Sequence, residues 1–230
     1  MPTRPGHQPC RTTTSTLLDT LTTKQTVARH LLAVKAVRLQ PDSPFTWSSG
    51  WQSPIYCDNR ITLAYPDVRT FIKQALADAI RAQFPQVEVI AGVATAGIPQ
   101  GALVADVLNL PYCYVRPEPK KHGMGKQIEG HLAAGQRVVV IEDLISTGGS
   151  SLKVVDALRA AGAEVLGMAA IFTYGFPVAD QNFAEKQVPL VCLSDYDALL
   201  TEASALDYIP ADARHSLAQW RQNPAEWTGR

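Results

Sequence analysis

Two adjacent acids, Glu142 and Asp143, stand between an apolar run and a loop of hydroxyls and glycines. The apolar run, residues 138–141, consists of four β-branched side chains, the composition of a strand buried on both faces in a parallel sheet. Apolar residues then recur at helical spacing over 152–161. Open α/β sheets bind ligands beyond the carboxyl ends of their strands, so the sequence predicts a ligand site at this junction.

The loop that follows the acids has the composition of a phosphate-binding site. Glycines let backbone N–H groups approach an anion, hydroxyls add donors, and the next helix contributes the positive end of its dipole. The loop lacks the Gly-Lys-Ser/Thr of a Walker A motif, and Leu144 stands where a nucleophile elbow needs glycine. The loop residues are Ser146, Thr147, Gly148, Gly149, Ser150 and Ser151.

The acid pair narrows the class of ligand. Carboxylates repel phosphate, so we expect Glu142 and Asp143 to face sugar hydroxyls or a metal ion bound to the phosphate. A ligand with a phosphate at one end and a diol beside it fits both the acids and the loop. The alternative is an ordinary strand–turn–helix, in which the serines and glycines only cap the helix.

A second segment, residues 116–131, concentrates positive charge between two predicted strands. It is longer than the usual connection of about two to six residues in α/β folds, and such loops tend to act as lids. Because the chain as a whole is neutral, this charge indicates a polyanionic ligand; a solvated surface loop is the alternative. The cations are Arg116, Lys120, Lys121 and Lys126, and His122 lies among them.

Composition limits the remaining possibilities. The chain has 230 residues, 46% of them hydrophobic, which suffices for one α/β domain with a sizeable core. The formal net charge of +0 argues against nucleic-acid binding. No apolar stretch approaches the roughly 20 residues that span a bilayer, so we expect no membrane partner. Cys10, Cys57, Cys113 and Cys192 lack metal-ligand spacing, which predicts reduced thiols in the cytoplasm.

Periodicity predicts a single domain over residues 17–230, preceded by a poorly ordered extension, residues 1–16. Strand and helix patterns alternate from residue 66 onward, which favours an α/β fold with a central, mainly parallel sheet flanked by helices. The stretch 37–60 predicts a small hairpin-like hood, and 116–131 a flexible lid.

The acids and the glycine loop together resemble the ribose-phosphate motif of type I phosphoribosyltransferases. Two further segments make the likeness specific to the orotate phosphoribosyltransferase family. Residues 49–56 are similar to its Ser-Gly-x-x-Ser-Pro-x-Tyr segment, and the lid is similar to its Arg-x-x-x-Lys-x-His-Gly loop. The resemblance implies the type I fold and transfer of ribose 5-phosphate from phosphoribosyl pyrophosphate (PRPP) to orotate, with Mg²⁺. It also implies a homodimer in which the lid serves the neighbouring subunit's site.

Carried over residue by residue, the resemblance implies three groups of site residues. Lys120, Glu142 and Asp143 would take part in catalysis, and Ser146 would bind orotate with Tyr56 and Cys57 of the hood. Mg²⁺ would be held mainly by PRPP and water rather than by direct side-chain ligands. PRPP would be bound by Arg116, Lys120, Lys121, His122, Glu142, Asp143, Leu144, Ile145, Ser146, Thr147, Gly148, Gly149 and Ser150.

The sequence departs from the family pattern in places. Ser48, Ala96 and Pro117 stand where some members have lysine, and residues 173–176 lack an arginine that some members place near orotate. Two other functions stay open at this point. A phosphoribosyltransferase for another base would share the acid–glycine loop but not the hood. The other is a regulator that binds PRPP without catalysis. Such a protein would normally carry a basic DNA-binding segment, and it would not need lid cations, because it releases no pyrophosphate.

Overall fold

The computed structural model describes residues 21–46, 52–116, 118, 127–210, 212–224 and 226–227. The strands are β1 Val37–Leu39, β2 Phe45–Thr46, β3 Gln52–Ser53, β4 Ile55–Cys57, β5 Val89–Val93, β6 Tyr112–Val115, β7 Ile128–Gly130, β8 Arg137–Ile145, β9 Glu164–Thr173 and β10 Leu190–Asp195. The α-helices are α1 Thr23–Ala33, α2 Pro66–Gln83, α3 Gly97–Leu108, α4 Gly149–Ala160, α5 Pro177–Glu185, α6 Tyr196–Ala205 and α7 Ala213–Gln222, and a 3₁₀ helix covers Asn59–Ala64. Over the described ranges, no helix combines the length and apolar character needed to cross a membrane.

Six strands form the main sheet, in the order β10-β9-β8-β5-β6-β7. Neighbouring strands are parallel except for β6 and β7, in which Tyr114 lies opposite Glu129. The predicted α/β fold with a central, mainly parallel sheet is therefore confirmed. The antiparallel edge strand β7 lies within the segment predicted to be loop, because three residues are too few to show a strand pattern.

Strand β8 lies inside the sheet, and its side chains alternate between two cores. Val139 and Ile141 are fully buried in the core that includes residues of α1, α2 and α3. Val138 and Val140 are fully buried in the core formed with α4 and α5. Burial on both faces explains the uninterrupted apolar run. The strand is longer than that run, since its pairing with β9 continues to Ile145, and both acids therefore lie within the strand.

Helix α1 begins at Thr23, within the predicted domain, and the predicted domain start at residue 17 lies outside the described residues. The Thr22 side chain accepts from the Gln25 N–H while the Gln25 side chain accepts from the Thr22 N–H, a capping box that sets the start at Thr23. The extension expected over residues 1–16 lies outside the described residues.

The described part of the hood consists of two short antiparallel pairs, β1 with β4 and β2 with β3. Residues 47–51, which include part of the predicted hood motif, lie outside the described residues. The Trp220 indole in α7 donates to the carbonyl oxygen of Gln52 at 3.3 Å. Trp220 is fully buried against the rings of Tyr174, Phe176 and Tyr196. Helix α7 therefore supports the hood through a hydrogen bond and an aromatic cluster.

Helix α3 approaches β8 closely at Gly97. A Cβ atom at this position would overlap the carbonyl oxygen of Ile141, the residue before the acid pair. The overlap involves backbone, so a side-chain rotation would not relieve it. Glycine here lets the start of α3 lie against the strand that carries the acids.

Gly97→Ala is therefore expected to lower the free energy of unfolding by about 1–3 kcal/mol, the usual cost of overpacking. Gly149→Ala is the matched control, because a Cβ there meets only the Thr147 hydroxyl, at 3.9 Å. We expect the control to change stability by less than about 0.5 kcal/mol. Urea unfolding of both variants measures the difference, and equal stabilities would contradict the close approach of α3 to β8.

Candidate active site

The carboxyl ends of β5, β6 and β8 lie at one edge of the sheet. The chain runs from β5 to β6 on one side, whereas β8 lies on the other side of β5. Open α/β sheets bind ligands at such a divergence, in the crevice beyond the strand ends. The loop after β5 (residues 94–96), Arg116 after β6 and the acid–glycine loop of β8 all follow strands that end here.

The two acids have different environments. Glu142 is only 6% exposed, and both of its carboxylate oxygens accept hydrogen bonds from the protein. The Ser151 hydroxyl donates to one at 2.8 Å, and the backbone N–H of Asp143 donates to the other at 3.0 Å. Asp143 is more exposed. Asp143 is thus the more accessible acid, while Glu142 connects β8 to the first turn of α4.

Burial perturbs the ionisation of both acids. Burial, reinforced by the neighbouring charge of Asp143, raises the pKa of Glu142 to about 8 despite the hydrogen bond from Ser151. Burial also raises the pKa of Asp143, although its hydrogen bonding with Glu142 opposes this change. Two adjacent carboxylates in such surroundings do not both ionise readily, so the pair tends to retain a proton near neutral pH.

The loop between β8 and α4 is supported by α5. Gly148 has a φ of +79°, and a Cβ there would lie 2.6 Å from the Phe183 ring. The Asn182 side-chain amide donates to the carbonyl oxygen of Thr147 at 2.9 Å. Within the described part of the chain, no side-chain hydrogen bond caps the N-terminus of α4. The first N–H groups of this helix are thus suited to bind an anion.

The predicted PRPP residues of this loop differ in exposure. Thr147, Gly149 and Ser150 are exposed, and Leu144 and Ser146 are half-buried. Ile145 and Gly148 are buried. Since the Ile145 side chain belongs to the core, only its backbone is available to a ligand.

The hood lies against the acid pair. The Asn59 side-chain amide donates to the backbone carbonyl oxygen of Asp143 at 2.7 Å. Burial, and then the charge of Asp143, raises the pKa of the Cys57 thiol well above its usual range. Burial also raises the pKa of Tyr174, with smaller contributions from groups that include Cys57, Asp143 and Tyr56. The structure therefore places the hood residues predicted to bind orotate near Asp143.

Arg116 stands at the base of the predicted lid. Its backbone N–H donates to the carbonyl oxygen of Gln127 at 3.0 Å, and the Gln127 side chain donates to the carbonyl oxygen of Arg116 at 2.8 Å. Its guanidinium lies 3.7 Å from the Glu129 carboxylate. The ends of the segment are thus held together at the sheet. The other predicted lid residues, Lys120, Lys121 and His122, lie outside the described residues.

Some residues that support the site cannot be predicted from the sequence. Asn59 and Asn182 bond to the acid strand and to the glycine loop from distant parts of the chain, so no local spacing connects them to the site. Ser151, predicted to be a donor in the loop, instead bonds to Glu142. The available signal was the pair of Asn59 with its preceding acid Asp58, two polar residues directly after an apolar hood strand.

The donor chemistry of the crevice fits a hard divalent cation through the carboxylate of Asp143. The described ranges contain no group of three or more His, Cys, Asp or Glu side chains placed to hold a metal ion. A cation at Asp143 would therefore take most of its ligands from substrate and water, as Mg²⁺ commonly does.

Comparison with known proteins identifies the class to which this fold and crevice belong. Residues 60–192, more than half of the chain, match the phosphoribosyl transferase domain family. The sheet, the acid pair and the glycine loop are therefore those of a phosphoribosyltransferase.

Individual relatives identify the family more narrowly. Orotate phosphoribosyltransferase of Cytophaga hutchinsonii is 57% identical over 201 residues, which are 87% of this chain and 96% of that protein. The same enzyme of Bacillus pumilus is 58% identical over 202 residues, 88% of this chain and 95% of that protein. The crystal structure of orotate phosphoribosyltransferase from Aeropyrum pernix matches with a TM-score of 0.69 at 31% identity, covering 80% of this chain and 99% of that one. The chain belongs to the orotate phosphoribosyltransferase family.

Glu142→Gln is expected to stabilise the protein more at pH 8.5 than at pH 5.5. Glu142 has a pKa of about 8 in the folded state and an ordinary value of 4.5. Between these values the folded state binds more protons than the unfolded chain, so stability falls as pH rises and the loss is complete above the folded pKa. Glutamine is uncharged, and it can still accept from Asp143 and donate to Ser151. The gain at pH 8.5 should exceed that at pH 5.5 by about 1 kcal/mol or more.

Urea unfolding at the two pH values measures this difference. Glu88→Gln is the control, because hydrogen bonds from Arg137 lower the pKa of Glu88 in the folded protein. Glu88 is therefore ionised in both the folded and the unfolded chain at either pH. The control should change stability equally at pH 5.5 and pH 8.5. A pH-independent effect of Glu142→Gln would show that Glu142 is already ionised in the folded protein.

Proposed function

We propose that this chain transfers ribose 5-phosphate from PRPP to orotate, giving orotidine 5′-phosphate and pyrophosphate, in de novo pyrimidine (UMP) synthesis. The observation that carries the proposal is the position of Asp143. It lies between the uncapped N-terminus of α4 and the hood residues Cys57 and Asn59. Sites for phosphate, ribose and base thus follow one another along one crevice. The relatives compared above are named for this activity.

The reaction exchanges one bond at the anomeric carbon for another. The bond to pyrophosphate breaks, and the leaving group takes the electron pair. The orotate ring nitrogen, having lost its proton, supplies the electron pair of the new bond. Positive charge develops on the ribose between these events, so the protein acts by positioning groups and stabilising charge rather than by supplying a nucleophile.

The acid–glycine loop holds the ribose 5-phosphate. Backbone N–H groups and hydroxyls over 146–150 bind the 5-phosphate at the start of α4. The Asp143 carboxylate accepts hydrogen bonds from the ribose hydroxyls, and its charge favours the cationic transition state. Glu142, enclosed by Ser151 and the Asp143 N–H, acts mainly by orienting this strand end.

The hood holds the base. Backbone groups at Tyr56 and Cys57 bind orotate, and the Ser146 hydroxyl also reaches the ring. The hydrogen bond from the Asn59 amide, two residues after Cys57, to the carbonyl oxygen of Asp143 supports this arrangement, because it holds the hood close to the acid.

The leaving pyrophosphate needs positive charge from several sources. When bound, Mg²⁺ neutralises part of the phosphate charge, with ligands mainly from PRPP and water. Arg116, Lys120, Lys121 and His122 of the lid contribute the remaining cations. In the proposed homodimer, which acts in the cytoplasm, the lid of each subunit serves the site of the other.

The purified protein is expected to consume orotate only when PRPP and Mg²⁺ are both present, with pyrophosphate released in equal amount. The loss of orotate absorbance measures substrate consumption, and a coupled assay measures the pyrophosphate released. Adenine, hypoxanthine and uracil are the comparison bases, and we expect each to have a kcat/KM lower by about tenfold or more. Turnover of a purine as fast as orotate would overturn the proposed substrate.

The shared lid is tested with two impaired variants, Lys120→Ala and Asp143→Asn. Lys120→Ala removes a cation from the leaving group, and Asp143→Asn removes the ribose carboxylate, so each homodimer should lose about tenfold or more in kcat. If the lid acts in trans, a mixed dimer has one site with both defects and one with neither. Mixing under subunit exchange should then restore up to about half the activity of a wild-type dimer.

Native mass spectrometry confirms that the subunits exchange. If the lid acts within its own chain, every site keeps one defect and mixing restores nothing. Confirmed exchange without recovery of activity would therefore exclude the lid in trans, while the reaction itself would be unaffected.

A further inference from the structure

A connected series of buried polar groups runs from the acid pair through the hood to α3. The Asn59 amide donates to the carbonyl oxygen of Asp143 at 2.7 Å, and its Oδ1 accepts from the Cys57 thiol at 3.4 Å. The backbone carbonyl of Asn59 accepts from the Thr62 hydroxyl at 2.6 Å. The Gln100 side-chain amide in turn donates to the Thr62 hydroxyl at 3.4 Å.

The buried series carries an energetic cost at one of its ends. Asn59 and Thr62 are fully buried and Gln100 is 1% exposed. The side-chain amide oxygen of Gln100, Oε1, has no hydrogen-bond partner among the described residues. Burying an unpaired polar atom costs about 1–3 kcal/mol, whereas apolar residues of similar size would pack without that cost. This cost falls at Gln100, whereas the Asn59 side chain, at the other end of the series, has a hydrogen-bond partner for both its amide nitrogen and its oxygen.

The direction of the Asn59 hydrogen bonds indicates the role of this side chain. The carbonyl that Asn59 binds belongs to Asp143, the residue whose carboxylate is the more accessible of the acid pair. The side chain of Asp143 projects from this backbone, so a shift of the backbone moves the carboxylate. The other end of the same amide binds Cys57, and burial keeps that thiol protonated and able to donate. One side chain thus contacts both the hood and the acid-bearing strand.

We propose that Asn59 is a positioning residue, whose side-chain amide sets the distance between the Asp143 carboxylate and the base held by the hood. The inference rests on the proposed transfer to orotate, and it adds a residue that acts through Asp143 rather than by contact with substrate. The position needs a donor and an acceptor on one short, planar group. Asparagine provides both, and leucine, of comparable size, provides neither.

The test compares Asn59→Leu with Gln100→Leu, which alters the far end of the same series and leaves the Asn59–Asp143 bond in place. Asn59→Leu should lower kcat by about tenfold or more, because a displaced carboxylate is felt chiefly as charge develops on the ribose. The dissociation constant for PRPP, measured by calorimetry, should rise by a smaller factor than the one by which kcat falls, since the glycine loop still holds the 5-phosphate. Gln100→Leu should keep kcat within about twofold of wild type.

Unfolding temperatures separate positioning from a structural role. If Asn59 only stabilises the fold, Asn59→Leu should lower the unfolding temperature while kcat, measured well below it, stays at the wild-type value; this result would overturn the inference. Equal losses of kcat in both variants would also overturn it. Asn59→Ala repeats the test without added bulk, and failure of both Asn59 variants to fold would assign the residue to stability alone. Absence of orotate turnover in the wild type would instead remove the proposed function.

Discussion

The burial of β8 on both faces, between the parallel strands β5 and β9, is the constraint from which the geometry of the site follows. Alternate side chains of this strand belong to two different cores, so a shift of the strand would disturb the close packing on both faces at once. Its carboxyl end is therefore held in place. The positions of the acids and of the start of α4 are fixed with it. The other elements complete the site by packing against this strand end.

The same burial separates the roles of the two acids. Glu142 follows the buried residues of the strand, and its side chain is shielded from solvent. Its carboxylate accepts hydrogen bonds from the Ser151 hydroxyl and from the N–H of Asp143. Its pKa rises because ionisation beside a second carboxylate in a poorly solvated place is costly. Asp143 is the next residue and points to the other side, where it is more exposed. Adjacent positions in a strand thus produce one enclosed acid and one available to ligand.

Support for the site comes from elements far apart in the chain. Helix α5 holds the glycine loop through Asn182 and Phe183, and the hood holds the acid strand through Asn59. The hood is in turn supported by Trp220 of α7. Because these contacts converge from different directions, a change in any one of them shifts the loop or the acid relative to the others.

Local pattern in the sequence was enough to predict the buried strand, the loop composition and the mainly parallel sheet. A run of β-branched residues, a glycine-rich turn and helical spacing are local signals, each caused by the conformational preferences of neighbouring residues. The hood and lid motifs added the family by resemblance. The tertiary structure alone decided that the strand continues through the acids to Ile145, that β7 adds an antiparallel edge, and that Ser151 binds Glu142. It also decided which residues meet the site from elsewhere, such as Asn59 and Asn182, because hydrogen bonds between distant segments depend on how the helices and the hood pack on the sheet, and no spacing along the chain records that packing.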